Sequence, residues 1–162
     1  MGNSQQKNAL EAATVATVKP LDWDAITLSS EMGVDSRRLM NALSIPEYIE
    51  AWLQPPGLDE LLVFDFLAQD RFQIDLYRSE ARRASIHAYT RVLSTDQICY
   101  AWKIISPAGI LHTTVDFALS CRQNRCNLSL RHAGFHTMQD QTWHTNMWRR
   151  SMMKLREIVR AR

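Results

Sequence analysis

The sequence predicts an α+β domain in which a curved antiparallel sheet of about six to seven strands wraps around a long C-terminal helix, with two short helices after the first strand. Three observations predict it. Between Leu61 and His132, short runs of alternating apolar and polar residues follow one another through brief turns, the pattern of an antiparallel meander. The last of these runs, Cys126-Asn127-Leu128-Ser129-Leu130-Arg131-His132, passes through Ala133-Gly134-Phe135 straight into a segment of helical periodicity. That segment places Trp148, Met152, Leu155 and Val159 on one face, and such a face needs a partner to cover it.

Composition narrows the function classes. At 162 residues, with 46% hydrophobic and 22% charged residues, the chain suits one ordinary globular domain with a sizeable core. A net charge of +2 argues against nucleic acid as a partner. Apolar runs such as Leu61-Leu62-Val63-Phe64 are too short to span a bilayer. The N-terminus has no basic region followed by an apolar one, so no secretory leader is expected. Its Met1-Gly2-Asn3-Ser4-Gln5-Gln6 start resembles a myristoylation signal but has Gln6 where Ser or Thr is needed. Cys121 and Cys126 could face each other across the turn at Arg122–Arg125. Without a leader, free buried thiols are the expected state, and the cytoplasm the expected compartment.

The elements follow in order. Residues 1–20, rich in Ala, Gln, Asn and Thr, are expected to form a disordered or weakly helical tail, and residues 21–162 the domain. Ala25 to Met32 reads as a strand that Gly33 breaks. Asp35 or Ser36 caps a short helix bearing Leu39, Met40 and Leu43. Pro46 suits the first turn of a second helix, which buries Ile49, Trp52 and Leu53 and ends at Gln54-Pro55-Pro56-Gly57. Strands are expected at Leu61–Ala68, Phe72–Tyr77, Ala84–Leu93, Ile98–Ile105, Ile110–Ser120 and Cys126–His132. Alternation puts Ile98, Tyr100, Trp102 and Ile104 on one face, with Val115, Phe117 and Leu119, and Leu128, Leu130 and His132, on the matching faces of the later strands. For Ala84–Leu93 the pattern leaves two choices, Ile86, Ala88 and Thr90 inward or His87, Tyr89 and Arg91. The final helix begins near Thr137, with Asp140 three positions on in a capping arrangement.

Several stretches resemble a family. Leu39-Met40-Asn41-Ala42-Leu43-Ser44-Ile45-Pro46-Glu47 is similar to a V-W-x-A-L-T-D-P-E segment, and Trp52-Leu53-Gln54-Pro55 to the Trp-containing stretch after it. Ile98-Cys99-Tyr100-Ala101-Trp102 resembles an aromatic strand. Leu128 to Phe135 resembles L-x-L-x-H-x-G-F, and Trp148, Met152 and Leu155 resemble G-W-x-x-x-L-x-x-L. Together, over roughly residues 25–160, they resemble the START-like (SRPBCC, helix-grip) superfamily, in the branch of the activator of ninety-kilodalton heat-shock protein ATPase homologues. The chain departs from that pattern at Met40 for Trp, Ile45 for Asp, Ser94-Thr95 for a Pro pair, and Met147 for Gly. A Met at 147 fills space near the helix start and implies a smaller or differently shaped pocket.

The resemblance implies a domain that encloses a cavity between sheet and helix. The function expected is binding of a small hydrophobic or aromatic molecule there, in a lining of Tyr100, Trp102, Val115, Phe117, Leu128, Leu130, His132, Trp148 and Met152. The alternatives are a co-chaperone-like module with a chaperone partner and, further off, a small aromatase/cyclase-type enzyme. No catalytic residue, cofactor or metal is expected. His132 and His136 are four apart, but Gly134 and the strand-to-helix change keep them off one helix face, and no third ligand stands nearby. No G-x-S-x-G nucleophile elbow and no Gly-rich phosphate loop occurs. Asp65, Asp75 and Asp116 alternate outward, as solvated residues do.

Overall fold

A computed structural model describes residues 24–161. The expected tail at residues 1–20 lies outside the described residues, as do residues 21–23. The elements run β1 (Ala25–Glu31), α1 (Ser36–Ser44), α2 (Pro46–Trp52), β2 (Glu60–Ala68), β3 (Arg71–Arg78), β4 (Ala81–Leu93), β5 (Gln97–Ser106), β6 (Gly109–Arg122), β7 (Arg125–Ala133) and α3 (Met138–Ala161). The seven strands form one antiparallel sheet in the order β1-β7-β6-β5-β4-β3-β2. Every neighbour in β2 to β7 is a chain neighbour, and only β1 travels, through α1 and α2, to the far edge beside β7. This is the helix-grip architecture.

Local chemistry places the helices. The Asp35 carboxylate accepts from the Arg38 backbone N–H at 2.8 Å, which caps α1, and Pro46 opens α2. Leu39, Met40 and Leu43 of α1 and Ile49 and Trp52 of α2 are buried. At the start of α3 the Thr137 hydroxyl accepts from the Asp140 N–H at 3.1 Å and donates to its carboxylate at 3.0 Å. The buried stripe of α3 contains Trp148, Met152, Leu155 and Val159, joined by His144, Met147 and Ser151.

The concave face of the sheet meets that stripe. Ile86 and Ala88 are buried and Tyr89 is exposed, which settles the face of β4. Two hairpins close through pairs of non-glycine residues with positive φ, Ser79-Glu80 (51° and 67°) and Gln123-Asn124 (53° and 61°). Such mirror-image turns match the twist of paired strands. The second turn sets Cys121 directly opposite Cys126, with Cα atoms 4.0 Å apart, and the two are joined as a disulfide. The expectation of free thiols is therefore corrected for this pair: a two-residue turn forces the contact. Cys99 is free and buried, and burial, with Asp116 beside it, pushes its thiol up to about 11. Of the outward carboxylates, Asp75 is held below its ordinary value chiefly by the Ser85 hydroxyl, which donates to it at 2.5 Å. No helix among the described residues is long and apolar enough to cross a membrane.

Candidate functional site

The nine residues expected to line a cavity come together, but as solid core. Tyr100, Trp102, Val115, Phe117, Leu128, Leu130, His132, Trp148 and Met152 are all buried, none more than 5% exposed. The Trp148 ring sits 5.5 Å from that of Trp102 and 5.7 Å from that of Phe117, whose other side meets Trp52 at 6.2 Å. The gap left among Leu43, Trp52, Phe72, Tyr100, Trp102, Phe117 and Trp148 has a volume of about 10 Å³. That is at the lower bound for a single water. Met147, where the resembled pattern has Gly, is fully buried and adds to the filling.

The polar groups in this core satisfy one another. The Thr113 hydroxyl donates to the Trp102 carbonyl at 2.7 Å, so it accepts from His132 Nε2–H, also at 2.7 Å. His132 Nδ1 then accepts from the Trp148 indole N–H at 3.0 Å. His144, on α3, donates from Nδ1 to the Asp140 carbonyl at 2.9 Å, and its Nε2 accepts from the Trp102 indole at 3.4 Å. The two imidazoles stand edge to face, 4.9 Å apart. Burial, reinforced by each other's proximity, pushes His132 well below its ordinary value. Burial likewise pushes His144 down to about 4, against the pull of the Asp140 carbonyl and charge. Both are neutral at pH 7 with both ring nitrogens engaged, so neither is free to exchange a proton with a bound molecule. The Tyr100 hydroxyl, within the expected lining, donates to the Leu43 carbonyl at 2.8 Å.

The open volume lies beyond this core, at the mouth of the grip. A cavity of about 540 Å³ separates the first two turns of α3 from the ends of β2 to β6. Leu76, Ala84, Ile104 and Leu111 form its apolar floor, and Trp143 and His144 its helix wall. Thr137, Gln139 and Asp140 add a polar border from the start of α3, with His136 just before it. The β3–β4 and β5–β6 turns supply the rim through Arg78, Arg83, Ser106, Ala108 and Gly109. Glu60 closes one side. It accepts from the Trp143 indole at 2.9 Å and from the Arg78 guanidinium, whose Nε also lies 3.6 Å from Asp59. An open groove of about 550 Å³, bordered by Pro56, Gly57, Met138 and Asn146, lies on the far side of this contact.

None of the nine expected residues lines the mouth cavity; the core residues Ile104 and His144 are their link to it. The sequence carried one signal for its place. Where the first turns of α3 pass over the sheet, small residues, Ala84, Ser106, Ala108 and Gly109, interrupt the larger Leu76, Ile104 and Leu111. Small side chains opposite a helix start leave a gap, whereas Trp, Phe and Leu further along close it. Among the described residues no group of three His, Cys, Asp or Glu is placed to hold a metal ion.

Solved structures of the same architecture define the class. The chain matches the AHSA1 protein from Silicibacter pomeroyi at a TM-score of 0.68 and 15% identity, over 85% of this chain and 98% of that one. It matches protein MLL2253 from Mesorhizobium loti at 0.65 and 19%, over 85% and 97%. It matches the Aha1 dimer from Colwellia psychrerythraea at 0.59 and 13%, over 83% and 95%. The domain has the START-like helix-grip fold of AHSA1- and Aha1-like proteins; at these identities the likeness is one of fold. No protein-family profile matches the chain, and no curated protein does.

Proposed function

We propose that the domain binds a small apolar or aromatic molecule in the mouth cavity between the sheet and the start of α3, and holds it without converting it. The observation that carries this reading is the cavity itself: about 540 Å³, with an apolar floor and a polar rim. Ligand sites typically have volumes of about 300–1,000 Å³ and that distribution of surface. The engagement of both buried imidazoles by indole, hydroxyl and carbonyl groups supports holding over catalysis.

The test is native mass spectrometry and tryptophan fluorescence with a panel of aromatic acids, indoles and short-chain lipids. Trp143, on the cavity wall, reports occupancy. Saturable binding is expected, and Ala84→Phe, which fills the floor, should abolish it while the fold is retained. Absence of binding across the panel, or binding that Ala84→Phe leaves unchanged, defeats the reading.

A further inference from the structure

The pairing of β3 with β4 is interrupted beside the mouth cavity. Leu76 faces Ala84 and Tyr77 faces Arg82, so Arg83 is an extra residue with no opposite on β3, a β-bulge. On a regular strand Arg83 would share the outer face with Ser85 and His87, because Ala84, Ile86 and Ala88 pack toward the core. The bulge turns it inward instead: Arg83 and Ala84, adjacent in sequence, both line the cavity. Arg82 keeps the outer position beside Asp75, whose carboxyl the Ser85 hydroxyl chiefly, and Arg82 in addition, hold below its ordinary value. Bulges commonly re-aim a side chain in this way next to a functional site. Of the four arginine and carboxylate side chains on the cavity, Glu60, Arg78, Arg83 and Asp140, three are engaged. Arg78 and Glu60 pair with each other, and the Asp140 carboxylate accepts from the Thr137 hydroxyl. The Arg83 guanidinium makes no hydrogen bond or ion pair among the described residues.

We infer that the ligand of the mouth cavity is an aromatic carboxylate, its anionic group on Arg83 and its ring between the Ala84 floor and the Trp143 wall; this rests on the reading that the cavity binds a small apolar or aromatic molecule. A guanidinium without a partner is a planar fork of N–H donors that a carboxylate fills with two parallel hydrogen bonds. Because the bulge makes Arg83 and Ala84 neighbours on one side of the sheet, the apolar floor begins one residue from that fork. An acid whose carboxyl group is attached at or near its ring reaches both. Trp143 supplies an aromatic wall, and its indole N–H is held by Glu60 at 2.9 Å, which fixes the ring. A cavity of about 150 Å³ holds benzene, so a volume of about 540 Å³ accommodates a two-ring acid. An ammonium ligand is disfavoured, because Arg83 repels it while both carboxylates on the cavity are already engaged.

Titration calorimetry of the full chain with naphthoate, the neutral naphthamide and naphthylmethylammonium separates charge from shape. Naphthoate should bind most tightly, about fivefold better than the amide, the gain of a solvent-accessible bidentate pair. The ammonium should bind most weakly, and added salt should narrow the gap between acid and amide. Arg83→Gln should bring acid and amide to about equal affinity. Arg82→Gln, which removes the same charge from the outer face, should keep the preference for the acid. Both side chains are exposed, so circular dichroism should stay at the wild-type spectrum in each variant. Decanoate, which carries the same headgroup on an acyl chain, should bind less tightly than naphthoate; the reverse order overturns the aromatic assignment. Equal affinity for acid and amide in the wild type, tighter binding of the ammonium, or a preference that Arg83→Gln leaves intact overturns the inference while the cavity reading stands. So does a preference that Arg82→Gln abolishes as fully as Arg83→Gln. Absence of binding by all of these probes overturns the inference and the cavity reading together.

Discussion

Acidification from pH 7 to 4.5 should strip several kcal/mol from the stability of this domain, through its two buried histidines. His144 has a folded pKa of about 4 against an ordinary value of 6.5, because burial disfavours the imidazolium. Between those values the unfolded chain binds a proton that the folded chain refuses, so stability rises with pH and falls as pH drops through 6.5. The slope approaches about 1.4 kcal/mol per pH unit, and by pH 4.5 the loss from His144 is roughly 2.5 kcal/mol. His132 is pushed in the same direction, and protonating its Nδ1 removes the acceptor of the Trp148 indole. His132 adds to this loss in the same direction, and the His144 share alone is a sizeable part of the whole stability of many domains, about 5–15 kcal/mol. Urea unfolding followed by tryptophan fluorescence, in half-unit steps from pH 7.5 to 4.5, measures it. Above about pH 5.5 the window stays clear of the ordinary carboxylate range, so the slope there belongs to histidine. His144→Gln should remove the His144 share, about 2.5 kcal/mol by pH 4.5, and leave the remainder. A midpoint that does not move between pH 6.5 and 5 would refute the claim that these rings are buried neutral.

Three further outcomes follow from single contacts. Trp148→Phe keeps an aromatic face but loses the indole's second ring and its N–H, leaving the His132 acceptor unpaired beside a new cavity, and should cost about 2–4 kcal/mol, read as a lower urea midpoint. Gly134→Ala should cost about 1–3 kcal/mol in thermal unfolding. Gly134 has φ +110°, and an added Cβ would stand 3.1 Å from the His112 carbonyl oxygen and 3.2 Å from Thr113 Cα, both backbone atoms that cannot swing away. Cys121→Ser opens a bridge between residues five apart in sequence. It should lower stability by about 2 kcal/mol, read as a reduced urea midpoint matched by wild type under dithiothreitol.

The sheet and the helix were legible because their signals are local. Period-two alternation placed Ile98, Tyr100, Trp102 and Ile104 on one face, and the 3.6-residue period placed Trp148, Met152, Leu155 and Val159 on another, without knowledge of what they meet. Facing sets of this kind specify contact but not the space between them. Whether Trp102, Phe117 and Trp148 line a void or fill it depends on how closely α3 approaches the sheet. That distance is set by residues far apart in sequence, Met147 and Trp52 among them. The choice of face for β4 was open for a similar reason: it rests on the Ser79-Glu80 turn, whose positive φ angles belong to residue types that do not announce them. The disulfide was not legible in the spacing alone, because whether Cys121 meets Cys126 depends on the positive φ angles of Gln123 and Asn124 that make the turn two residues long.

The contrast between a filled core and an open mouth follows from what a void costs in each place. A dry cavity of 300 Å³ within the sheet would cost on the order of 7 kcal/mol by the scale of core truncations. Here that position holds four aromatic rings, from Trp52, Trp102, Phe117 and Trp148, and only about 10 Å³ is left. At the mouth the same calculation does not apply, because solvent can enter and the volume is never dry. A molecule that settles on Leu76, Ala84, Ile104 and Leu111 displaces water from apolar surface, a favourable exchange that needs no rearrangement of the core beneath it. The packed tryptophans therefore limit the depth to which a ligand can penetrate, and the polar rim at Arg83, Thr137 and Gln139 leaves one end of it in contact with water. The fitting occupant is compact, apolar at its inner end and polar at its outer end.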